Sequence, residues 1–154
     1  MVKIRPKAQV EMKMKAVGQN HSRTKVSARD VYSVIDEPED RGGTNLGLSP
    51  TESLMASLMG CTNVISHKIA HGMGVTFGEM KIDFSSQFDR RGVLLMSEVD
   101  RPFDNIVMDI EVKTDATAEQ LATIQTELAK FCPIAKVIRA GGVTITENWT
   151  ATPL

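Results

Sequence analysis

Apolar and polar side chains alternate near the start of the chain, with Val10, Met12, Met14 and Ala16 on one face and Glu11, Lys13 and Lys15 on the other. A period of two marks a strand with one covered face. Residues 23–28 and 31–35 repeat the strand signal, with a turn around 28–30 between them and a loop at 18–22 before them, so this part predicts a β-meander. Residues 36–48 hold one proline, three glycines and several charges, the composition of an ordered loop.

At Ser49 the period changes to that of a helix. Ser49 as N-cap, Pro50 at the first helical position and Glu52 three residues after the cap form a capping-box start signal. Leu54, Leu58, Cys61, Ile65 and Ile69 then recur at spacings of three and four. This stripe should face a core, which puts Cys61 on the buried side, and Gly72 with Gly74 supplies the stop. Strands follow at 79–88, where Met80, Ile82 and Phe84 alternate with Lys81, Asp83 and Ser85, and at 105–113, carried by Ile106, Met108, Ile110 and Val112. The intervening 89–104 shows no pattern. A second helix opens at Thr117, with Gln120 completing another capping box and Leu121, Ile124, Leu128 and Phe131 as its stripe. Pro133 would remove a hydrogen bond and clash inside a helix, so the expected arrangement is a break at Cys132 and a short new helix, capped by Cys132, through Arg139. A strand at 143–150 closes the chain. The order predicts an α+β fold in which an antiparallel sheet packs on two long helices.

At 154 residues a single domain spanning 1–154 is expected. Lysine and arginine total 18 against 19 aspartates and glutamates, so no global field favours nucleic acid or an anionic membrane. Lys3, Arg5 and Lys7 precede no apolar segment, and no apolar run approaches the roughly 20 residues that span a bilayer. A soluble cytoplasmic protein with no nucleic-acid or membrane partner is the expectation. Asn148, Trp149 and Thr150 match a glycosylation sequon, to which no secretion signal lends weight. His67 and His71 are four apart, as in metal-binding pairs, but a catalytic zinc needs a third protein ligand, so solvated surface histidines and no metal or cofactor are expected.

Two cysteines are too few for a four-thiolate zinc site or a disulfide scaffold, which leaves inert core thiols or a redox pair. A working cysteine must ionise, because the thiolate is the nucleophile. Cys132, as N-cap before Pro133, would sit at the positive end of a helix dipole among unpaired amides. Cys61 lies in mid-helix on an apolar face, where desolvation alone favours the inert thiol, so it needs a cation from elsewhere. Taken one at a time, each cysteine reads as a small buried hydrophobe.

The run Gly42-Gly43-Thr44-Asn45-Leu46-Gly47-Leu48-Ser49-Pro50-Thr51-Glu52-Ser53-Leu54, continuing to Met59-Gly60-Cys61-Thr62, resembles the glycine-loop and central-helix signature of the OsmC/Ohr family of cysteine-based hydroperoxide-detoxifying proteins. Cys132-Pro133-Ile134-Ala135-Lys136-Val137-Ile138 resembles that family's second motif, in which Cys-Pro opens a short helix. The resemblance implies an intertwined homodimer with two active sites near the interface. It also implies a peroxidase of oxidative-stress defence that reduces organic hydroperoxides. Cys61 would become a sulfenic acid, Cys132 would close a Cys61–Cys132 disulfide, and a dithiol reductant would reopen it. The family supplies an arginine from the N-terminal strands, for which Arg23 is the best match and Arg29 the second.

One departure bears on activity. Organic-hydroperoxide members place a glutamate directly after the proline, where it holds the arginine, but here Thr51 takes that place and Glu52 comes one residue later. Nine residues at about 100° each put Glu52 on the far side of the helix from Cys61, so a capping-box carboxylate competes with a catalytic role. The Pro-Thr-Glu order is similar to a less characterised branch of OsmC-like proteins. Two other readings therefore stand beside the peroxidase: a non-catalytic member binding a small apolar ligand at the dimer interface, and a thiol redox sensor.

Overall fold

A computed structural model describes residues 8–154; Lys3, Arg5 and Lys7 lie outside the described residues. Contacts group the chain into two compact units, Met1–Met55 and Ala56–Leu154.

The first unit holds a three-stranded antiparallel meander of β1 (Lys15–Gly18), β2 (Thr24–Ala28) and β3 (Val31–Ile35). Its register places Val17 opposite Lys25 and Lys25 opposite Val34. The alternation from Val10 predicts a longer, half-covered first strand, but the ladder begins only at Lys15. The reason is the length of the partner. Lys15 already faces Ser27, and β2 ends one residue later at Ala28, the position across from Met14, so no residue of β2 lies opposite Lys13 or Met12. Val10 and Met12 are 78% and 81% exposed. In the following loop, a 3₁₀ turn at Glu39–Arg41 is closed by Gly42 in the left-handed region. Gly43 and Gly47 let backbones meet: a Cβ would stand 1.7 Å from the Glu37 carbonyl oxygen at the first and 2.1 Å from that of Val34 at the second.

Helix α1 (Pro50–Gly72) starts as its signal requires. The Ser49 N–H donates to Glu52 Oε2 at 2.7 Å, and the Glu52 N–H donates to Ser49 Oγ at 3.3 Å. Its buried face, however, is Met55, Leu58, Thr62, Ser66 and Ala70, one position round from the expected stripe. Thr62, Ser66 and Ala70 are small enough for close approach, and Ser66 satisfies its hydroxyl on the Asn63 carbonyl at 3.2 Å. Leu54 is exposed, and Cys61, Ile65 and Ile69 are half-buried.

The second unit carries a sheet in the order β4 (Phe77–Phe88), β5 (Phe103–Thr114), β6 (Thr144–Thr152), with α2 (Ala118–Phe131) and α3 (Pro133–Ala140) between the last two strands. β4 and β5 form an antiparallel pair, whereas β6 runs parallel to β5. A purely antiparallel sheet is the sequence expectation. The difference follows from the connection, since two helices carry the chain back across the sheet and return it in the original direction. Alternate residues of β5, Ile106, Met108, Ile110 and Val112, and the α2 stripe Leu121, Ile124 and Leu128 supply the core. Each such side chain contributes roughly 1.5–3 kcal/mol by leaving water. Phe131, expected in that stripe, is 62% exposed. Residues 89–102 form the loop between β4 and β5, in which Arg91 Nε pairs with Asp89 Oδ1 at 3.0 Å, and at the strand ends that flank it Phe88 stacks on Phe103 at 4.8 Å. No helix among the described residues is long and apolar enough to cross a membrane.

Candidate active site

Proline dictates where Cys132 sits. Its N–H closes α2 on the Leu128 carbonyl at 2.9 Å, and its Sγ caps α3 by accepting from the Ala135 N–H at 3.4 Å. The residue is extended (φ −71°, ψ 108°), as a position before proline must be. Cys132 is fully buried, and Cys61 on α1 is half-buried. Although 71 residues apart in sequence, the two sulfurs lie 2.9 Å apart, both as free thiols.

The electrostatics differ from the sequence expectation. Position at a helix N-terminus should favour the Cys132 thiolate, and the Ala135 and Ile134 amides do act that way. Burial outweighs them, and with the Cys61 contact it pushes the Cys132 thiol up to about 11. Cys132 therefore keeps its proton near neutral pH and is the donor of the S–H···S contact, with Cys61 as acceptor. The pair divides the roles by environment: one sulfur dry and protonated, the other partly open to solvent.

Arg23 is half-buried in the first unit. Its Nε donates to Gln19 Oε1 at 3.0 Å and its Nη1 to Thr44 Oγ1 at 3.1 Å. Both acceptors are neutral, so the guanidinium is oriented without a direct carboxylate partner among the described residues. Arg29 stands exposed in the β2–β3 turn with φ 54°. The Glu52 carboxylate is bound in the α1 cap, and the Ser49 N–H holds it below the usual carboxylate range. Thr51 Oγ1 lies 3.2 Å from Ser49 Oγ at the same helix start.

His67 differs from the solvated side chain expected. It is half-buried, with Nδ1 2.8 Å from the Asn63 carbonyl, Nε2 3.3 Å from the Gly78 carbonyl, and its ring edge-on to Phe77. His71 is exposed, and no cluster of three metal-ligating side chains occurs among the described residues.

Asp36 is the residue sequence reasoning passed over. It is 0% exposed and accepts from Ser22 Oγ at 3.1 Å, from the N–H groups of Glu37, Thr44 and Leu46 at 2.9, 3.2 and 3.2 Å, and from the Thr44 hydroxyl. The Thr44 hydroxyl, above all, lowers its pKa to about 2. Having given its proton to Asp36, that hydroxyl can only accept from Arg23. The available signal was an acid at the end of an apolar strand, entering a glycine loop whose amides need an acceptor.

The family described as OsmC-like protein matches residues 43–148. Among solved structures, an OsmC-like protein from Mycoplasma pneumoniae superposes with a TM-score of 0.77 at 14% identity, covering 93% of this chain and 98% of that one. A Legionella pneumophila structure described as an organic hydroperoxide resistance protein OsmC gives 0.67 at 13% identity, covering 94% and 99%. The organic hydroperoxide resistance protein OhrB of Bacillus subtilis gives 0.60 at 20% identity, covering 92% and 98%. These likenesses show the fold. No curated protein sequence matches the chain.

Proposed function

The chain belongs to the OsmC-like protein family, and from that premise we propose that it is a thiol-dependent peroxidase that reduces organic hydroperoxides. The observation that carries the reading is the 2.9 Å approach of Cys132 Sγ to Cys61 Sγ, with Cys132 as donor. Cys61 attacks the terminal peroxide oxygen, the O–O bond breaks, and Cys61 becomes a sulfenic acid as an alcohol leaves. Cys132 then attacks the Cys61 sulfur, expelling the oxygen and closing a disulfide that a dithiol reopens. Two solved structures of the same fold are described as organic hydroperoxide resistance proteins, which supports the substrate class. Arg23 is the arginine that the family resemblance assigns to the Cys61 thiolate, and within its own unit its guanidinium is oriented by the neutral side chains of Gln19 and Thr44. Glu52 serves the helix cap in this reading.

The test is consumption of cumene hydroperoxide and of hydrogen peroxide by the reduced protein with dithiothreitol, followed by a count of free thiols. Turnover that favours the organic substrate, with both thiols lost when reductant is withheld, is the expected result. Survival of both thiols in excess hydroperoxide would overturn the reading in favour of a small-ligand binder.

The working unit is proposed to be a homodimer. Val10, Met12 and Met14 are all more than 60% exposed, an apolar row that a soluble chain covers with a partner. The mass in solution should be twice the 16.9 kDa of the chain. The double substitution Met12→Glu, Met14→Glu should shift light scattering towards the monomer, and an unchanged dimer would remove this row from the interface.

A further inference from the structure

We propose that Cys132 is also the acid of the first chemical step, giving its thiol proton to the alkoxide that leaves when Cys61 attacks the hydroperoxide. The inference rests on the peroxidase reading and assigns Cys132 a catalytic task before it acts as nucleophile. Cys61–S⁻, RO–OH and Cys132–SH give Cys61–SOH, ROH and Cys132–S⁻; two electrons pass from the Cys61 sulfur into the breaking O–O bond. Cys132–S⁻ then displaces hydroxide from Cys61–SOH to form the disulfide.

Geometry puts a protonated thiol beside the attacking sulfur. Cys132 Sγ stands 2.9 Å from the attacking sulfur, so a hydroperoxide that approaches Cys61 on the side of Cys132 expels its alkoxide within reach of that thiol. Cys132 is 0% exposed, so water does not compete for its proton at rest. The acid is also loaded in advance, because burial keeps the thiol protonated until about pH 11. An alkoxide is far more basic than that, so the transfer runs downhill. After the transfer the new thiolate is not left unsupported. Its sulfur already accepts the Ala135 N–H at 3.4 Å at the N-terminus of the eight-residue α3, a helix end that stabilises the product charge. One proton transfer thus finishes the first step and creates the nucleophile for the second.

A leaving group that needs no proton separates this role from a structural one. Single-turnover oxidation of the reduced protein is followed by stopped flow with cumene hydroperoxide, which expels an alkoxide, and with perbenzoic acid, which expels a stable carboxylate. In Cys132→Ala the cumene hydroperoxide rate should fall about a hundredfold relative to the perbenzoic acid rate, the scale of general-acid catalysis. Cys132→Ser, whose hydroxyl can still donate, should recover much of the ratio. Equal slowing of both oxidants, or slowing of neither, overturns the proton transfer while leaving the peroxidase reading intact. A wild type inert to cumene hydroperoxide removes both. Should Cys132→Ala fail to fold, the wild type gives the same information. Across alkyl hydroperoxides whose alcohols differ in acidity, a nearly flat rate supports the transfer, and a steep dependence overturns it.

Discussion

Cys61→Ser should consume cumene hydroperoxide at least about a thousandfold more slowly than the wild type, because removing the nucleophile removes the step on which the other groups act. Cys132→Ser should behave differently. It keeps the attacking sulfur and a hydrogen-bond donor at the same place, so it should use about one equivalent of hydroperoxide and stop as a Cys61 sulfenic acid trapped by dimedone. The contrast comes from the environment of each sulfur: Cys61 is half-buried and accepts the contact, while Cys132 is sealed and donates it. Were Cys132→Ser to lose all reactivity while Cys61→Ser kept it, the roles would be reversed and the S–H···S polarity would carry no information about the order of attack. Thiol titration after one equivalent of oxidant, combined with peptide mass spectrometry, separates these cases.

The parts of the fold legible in the sequence are those set by local rules. The Ser49-Pro50-Glu52 start of α1, the Thr117–Gln120 box of α2 and the Pro133 break are side-chain and backbone chemistry within four residues, and each falls where the sequence puts it. What depends on a partner strand is less legible. The alternation at Val10 to Ala16 gives a period but no information on how long β2 is, and so does not locate the start of β1. The α1 face was misplaced by one residue because hydrophobicity ranks Leu54, Ile65 and Ile69 above Thr62 and Ser66, whereas close packing selects small side chains. At the candidate site, the motifs point to Cys61 and Cys132, but the direction of the proton between them depends on how deeply each is buried, which no local pattern encodes. Asp36 was invisible for a related reason. Its partners Ser22, Thr44 and Leu46 are up to 14 residues away, and a single acid in a polar loop carries no motif.

Asp36→Asn should lower the melting temperature by roughly 5–10 °C at neutral pH, as expected when one buried acceptor atom of a multiply bonded carboxylate is replaced by a donor. Each carboxylate oxygen receives at least two donors, and an amide NH₂ in either place meets N–H or O–H groups head-on. The pH dependence identifies the cause. The folded-state pKa is lowered from 3.8 to about 2, so the carboxylate's stabilisation is present in full above the unfolded value and is lost as pH falls through the folded one. The gap in melting temperature between wild type and Asp36→Asn should therefore be constant from pH 7 to about 5, narrow below about 4 and shrink further towards pH 2. The remaining carboxylates, including Asp89, which is likewise lowered to about 2, titrate in both proteins and cancel in the difference. A gap that persists undiminished at the acid end would mean that the substitution acts through packing alone. Narrowing in the stated window would establish that a charged Asp36 holds Thr44, and through its hydroxyl the guanidinium of Arg23, in the observed arrangement.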